Sequence, residues 1–168
     1  AEEVIRLSEF NERVIASAPA ALAVLQGSGH TVTSVNPAFA RAFGSDGRPA
    51  GESIEGRPIA EVVPMEALPA FIEEMSMAGE PARQREMHYV DSAGVQRWFL
   101  ASATPLRGEG RGERNQKESL LILDDITEQR QHQEALQETA RLASIGEMAA
   151  GVAHEINSPL AVVVGFSE

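Results

Sequence analysis

No cysteine occurs among the 168 residues. That excludes disulfides, thiolate metal sites and any cysteine nucleophile, and it suits a reducing compartment. Long hydrophobic runs are also missing. The longest near the end, Leu160 to Val164, is far short of the roughly 20 residues that span a bilayer. No signal-peptide pattern opens the chain, whose first residues are acidic. Positive charge is scarce, with 14 Lys and Arg against 25 Asp and Glu and a net charge of −11. A balance this acidic argues against a nucleic-acid binder, which needs a basic face for phosphates, and against docking on anionic lipid. What is present is a hydrophobic fraction of 43%, enough for one core of ordinary size plus a short extra element. The chain starts at Ala1 rather than Met and stops at Glu168 within an expected helix, so both ends read as cut from something longer.

Three sections follow from composition and period. In residues 1–18, Val4, Leu7, Val14 and Ile15 share one helical face, which predicts an amphipathic lead helix ended by Pro19. Residues 19–127 change period. Ala20–Leu25 and His30–Val35 read as a hairpin around Gln26-Gly27-Ser28-Gly29. Short helices are expected over Ala38–Phe43, Pro58–Val63 and Met65–Met77, the first with Asn36 as N-cap and Pro37 at its first position. Three more strands are expected over Arg83–Val90, Gln96–Pro105 and Ser119–Ile126, with Asp91-Ser92-Ala93-Gly94 turning the first into the second. That order predicts an α+β fold, one five-stranded antiparallel sheet with short helices on one face. Residues 128–168 contain no strand pattern. From Glu128 to Val152 there is no proline, and Gln, Glu, Ala, Arg and Leu dominate, which predicts a long helix. Leu142, Ile145, Ala149, Val152 and Ile156 recur at alternating three- and four-residue spacing. This is a heptad seam and calls for a partner helix.

The stretch Leu142 to Leu160 ends in His154-Glu155-Ile156-Asn157-Ser158-Pro159-Leu160. It closely resembles the phosphoacceptor box in the dimerising helix of sensor histidine kinases. The middle section resembles a PAS domain in its strand and helix order. Asn36-Pro37-Ala38-Phe39, Trp98 with its strand, and Asp125-Ile126-Thr127 at the exit all fit. The resemblance implies a PAS sensory unit followed by a signalling helix and the front of the phosphoacceptor hairpin. It implies His154 as the phosphorylated residue, Glu155 as the acidic neighbour that takes a proton or holds the imidazole, and a response regulator receiver domain as partner. Ser158 stands where the family often has Thr or Asn to position water for dephosphorylation, so the reverse reaction is left open. ATP and Mg would belong to a catalytic domain outside this stretch, without which it is expected to be inactive. No bound cofactor is expected here. Photoreactive flavin relatives need a cysteine, and the Met65–Met77 segment has no histidine to ligate haem, while His30 and His88 fall on strands or turns. A cytoplasmic location is implied, with membrane anchoring of the parent protein open.

The residues support these roles independently. With Leu142 at position a, His154 falls at f, outermost on the coil. There a neutral ring nitrogen can attack a γ-phosphoryl group in line. Ser158 lies one turn on, on the same face. Pro159 frees the carbonyl of Glu155, so a bend is expected just past the histidine. Thr127 is an expected N-cap of the long helix, with Asp124 and Asp125 near the positive end of its dipole. Asp125, Thr127 and Pro159 are therefore the expected relay residues. A homodimer through the lead helix and the coil is expected. The rival reading is a non-catalytic dimeric PAS relay whose last helix is only a coil.

Overall fold

The computed structural model of the chain describes the backbone of residues 2–44, 53–78, 84–106 and 118–165, and side chains of residues 9–44, 53–78, 84–106 and 118–152. By internal contacts the chain divides into two units, Ala1–Thr127 and Glu128–Glu168.

The first unit opens with α1 (Glu2–Ser17), then β1 (Ala21–Gln26), β2 (Thr31–Val35), α2 (Pro37–Phe43), α3 (Ile59–Val62), α4 (Leu68–Ala78), β3 (Arg85–Val90), β4 (Gln96–Leu106) and β5 (Glu118–Asp125). All strand pairs are antiparallel, in the order β2-β1-β5-β4-β3. Side chains of successive strand residues face opposite sides of a sheet. Accordingly Ala21, Ala23 and Leu25 of β1, Phe99, Ala101 and Ala103 of β4, and Leu121 and Leu123 of β5 are all buried on one face. The short helices supply the other half of the core through Phe39, Phe43, Ile59, Leu68, Phe71 and Ile72. Phe43 is its aromatic centre, with ring centroids 5.0 Å from Phe39, 5.4 Å from Phe99 and 6.1 Å from Tyr89. This is the expected five-stranded α+β fold.

Local rules explain several boundaries. Asn36 caps α2 by accepting the Phe39 N–H at 2.9 Å, with Pro37 in the first turn, where no donor is needed. The same amide does more than cap. Its oxygen accepts the Leu22 N–H at 2.9 Å, and its nitrogen donates to the carbonyls of Ala20 and Ile15 at 2.9 and 3.3 Å. Asn36 thereby joins α1, β1 and α2 at a nearly closed site, 2% exposed. Helix α4 begins at Leu68, three residues later than the composition predicts. Met65 and Leu68 make turn hydrogen bonds to Val63 and Met65 there, and Pro69 falls in the first helical turn. In the β3–β4 turn Gly94 has φ +78°, a left-handed conformation that costs an L side chain roughly 1–2 kcal/mol.

The second unit is a single helix, α5 (Thr127–Gly165), which begins at the last residue of the first unit. It runs without interruption through Pro159; the expected bend is not a break in the helix. One proline removes one donor from a 39-residue ladder, and the ladder resumes beyond it.

Candidate functional site

The sheet meets the long helix at Asp125–Thr127. β4 and β5 pair in register, Phe99 opposite Asp125 and Leu100 opposite Asp124. One step further, the Ile126 N–H donates to the Trp98 carbonyl at 2.9 Å. The Thr127 hydroxyl then accepts the Trp98 N–H at 2.9 Å and lies 3.4 Å from the Trp98 carbonyl oxygen. Thr127 is buried, 6% exposed, so these bonds are shielded from competing water. The Thr127 N–H itself donates to Asp125 Oδ1 at 2.9 Å.

The division of labour differs from the sequence expectation. Thr127 was expected to cap the helix with its hydroxyl. Instead the Asp125 carboxylate takes the first helical N–H, and the hydroxyl crosses to the backbone of β4. The reason is position. The β4–β5 register sets Thr127 beside Trp98, where an unpaired strand N–H is the nearer donor, while a short acidic side chain two residues earlier bonds the N–H readily. An anion at that place also suits the positive end of the helix dipole.

Two residues that sequence reasoning missed flank this junction. Asp91 Oδ1 accepts the N–H groups of Ala93 and Val95 at 3.0 and 2.8 Å, and its Oδ2 accepts from Arg97 Nε at 3.0 Å. The Val95 N–H and the Arg97 guanidinium hold the Asp91 carboxyl below the ordinary carboxylate range, and Asp91 in turn raises Arg97. A turn-forming Asp six residues before an Arg was the available signal. Alternation alone placed both residues, but not their contact. Trp98 and Phe99 divide as expected. Phe99 is buried, and Trp98 lies on the opposite face with its ring 4.5 Å from that of His88.

His154, Glu155, Ser158 and Pro159 all lie within helical backbone of α5; their side chains lie outside the described residues. His154 is roughly 40 Å along the helix from Thr127, at about 1.5 Å per residue. The structure therefore gathers Asp125 and Thr127 at one point and strings the other four along one helix. The seam residues Leu142, Ile145 and Val152 are 59%, 53% and 54% exposed. On α1, Phe10, Val14 and Ile15 are exposed as well. Among the described residues no three His, Cys, Asp or Glu side chains are grouped to hold a metal, and no helix is long and apolar enough to cross a membrane.

Comparison with known proteins agrees with this architecture. The PAS domain family matches residues 19–128. The sensor protein DctS of Rhodobacter capsulatus, named for C4-dicarboxylate transport, is 32% identical over 147 residues, covering 79% of this chain and 21% of that protein. Sporulation kinase E of Bacillus subtilis is 34% identical over 95 residues, covering 55% of this chain and 13% of that protein. The histidine kinase ThkA, solved in complex with the response regulator protein TrrA, superposes with a TM-score of 0.54 at 26% identity, covering 87% of this chain and 40% of that one. The chain spans about a fifth or less of the length of the curated relatives it matches. From strand order, the sheet–helix junction and these matches together, the chain belongs to the PAS domain family, and its homologues are sensor histidine kinases of two-component signal transduction.

Proposed function

We propose that this chain is the sensory and phosphoacceptor part of a sensor histidine kinase. In this reading the PAS unit sets the start of α5, and His154 takes the γ-phosphoryl group of ATP held by a separate catalytic domain. The N–P bond forms as the bond to ADP breaks, Glu155 takes up the imidazole proton, and the phosphoryl group passes on to a response regulator receiver domain. Ser158, one turn beyond, is assigned to orienting water in the reverse reaction. The observation that carries the reading is the continuity of α5. The helix whose first residue is hydrogen-bonded into the sheet also bears the His154–Leu160 box.

The proposal includes a homodimer, through α1 and the Leu142–Val152 seam, because exposed apolar residues at heptad spacing are stabilised by a second helix. It also places the chain in the cytoplasm, where ATP and the receiver domain are, with no cofactor of its own. The test supplies a histidine-kinase catalytic domain with radiolabelled ATP and Mg. The expected product is acid-labile, alkali-stable label on the wild type and none on His154→Gln. Label that persists in His154→Gln, or none on either protein, refutes the phosphoacceptor assignment and leaves the non-catalytic relay.

A further inference from the structure

Arg97 precedes Trp98, the β4 residue whose backbone holds the start of α5. Its guanidinium is not free to wander. Nε donates to Asp91 Oδ2, while Asp91 Oδ1 is committed to the N–H groups of Ala93 and Val95 in the β3–β4 turn. Asp91 is well enclosed, its side chain 12% exposed, whereas that of Arg97 is 43% exposed. The turn carboxylate is therefore the fixed partner and the guanidinium the arm it orients. That arm lies in a cleft of about 280 Å³, lined by Asp91, Arg97, Asp125, Arg41, Tyr89 and Phe99. Phe99 is the ladder partner of Asp125, and Arg97 lies two residues from Phe99 on the same side of the sheet. The charge on Arg97 is stabilised first by Asp91 and, through space, by Asp125.

We propose that Arg97, seated by Asp91, is a positioning residue for the sheet–helix junction: its guanidinium holds the Asp125 carboxylate in the orientation that accepts the Thr127 N–H. The β3–β4 turn and the first turn of α5 are then one electrostatic unit spanning β4. A displacement of the turn is felt at Thr127, which makes the turn a second point of input to the helix. Only that consequence for signalling rests on the relay reading; the positioning itself is a property of the PAS unit.

Amide hydrogen exchange on the whole 168-residue chain tests it without ATP or a catalytic domain, so the result is independent of whether His154 is phosphorylated. Arg97→Gln is expected to speed exchange at Thr127 by about fivefold relative to Leu121 in the core, a local opening rather than a global one. Arg97→Lys, which keeps the charge, is expected to stay within about twofold of wild type if the field of the cation is what matters. Asp91→Asn still offers an oxygen to Ala93 and Val95. It should keep the Val95 amide protected while speeding Thr127. Unchanged exchange at Thr127 in Arg97→Gln overturns the proposal. So does an equal rise at Leu121, which would mean lost stability only, or an Arg97→Lys variant as fast at Thr127 as Arg97→Gln.

Discussion

Asn36 shows how much one side chain can hold. Its amide satisfies Leu22 and Phe39 as acceptor and Ala20 and Ile15 as donor. Asn36→Ala leaves several of these backbone groups buried and unpaired, so it is expected to cost about 2–3 kcal/mol. Asn36→Ser, which keeps a capping oxygen, should recover about 1 kcal/mol of that. Urea unfolding followed by the fluorescence of Trp98, the single tryptophan, measures both. Asp91 carries a pH signature. Its carboxyl is held below its ordinary value by the Val95 N–H and Arg97, so the folded state binds the proton less tightly than the unfolded chain. The resulting stability is present above the unfolded value, about 3.9, and is lost as pH falls through the folded one. Unfolding midpoints measured from pH 6 down to pH 2.5 should therefore fall less steeply below about pH 4 in Asp91→Asn than in wild type. Identical acid limbs would contradict this. The Asn36 cap was legible in the sequence, because Asn-Pro before an apolar helix is a local signal. Its three other bonds were not, since they reach back 14 to 21 residues to groups that only the fold brings near.

At the scale of elements, period-two burial made β1, β4 and β5 readable, and their boundaries lie within one or two residues of those expected. For α5, composition and the lack of early prolines were enough, but Pro159 misled about continuity. A single missing donor near one end is a small loss within a long helix. The seam of α5 makes its own prediction. Leu142→Asn together with Ile145→Asn should shift the chain from dimer to monomer at micromolar concentration, each polar substitution costing about 1.5–3 kcal/mol of apolar burial per side chain. Glu147→Ala, at the outward position of the same heptads, should leave association unchanged. Sedimentation equilibrium separates these outcomes, and equal masses for all three proteins would remove the coil from the proposed dimer.

For the whole molecule, the junction at Asp125–Thr127 is where a change in the sheet becomes a change in the helix. Thr127→Ala removes the buried bond to the Trp98 backbone, and Asp125→Ala removes the acceptor of the first helical N–H; each loss amounts to about 1–2 kcal/mol of local stability. In the full-length protein both are expected to uncouple stimulus from phosphorylation while His154 remains open to phosphorylation in the presence of ATP. Regulation that survives both substitutions would place the relay elsewhere. By itself the amino-acid sequence determined which segments are strands and helices, that helices cover one sheet face, and that a histidine box lies on the final helix. Those are consequences of local periodicity, propensity and motif, which need no knowledge of distant neighbours. Only the tertiary structure decided that Thr127 bonds across to β4, that Asp125 takes the helix N–H, and that Asp91 and Arg97 meet beside them. Each of these depends on the register of strands some 30 residues apart, which is set by collective packing of the buried sheet face and leaves no local trace.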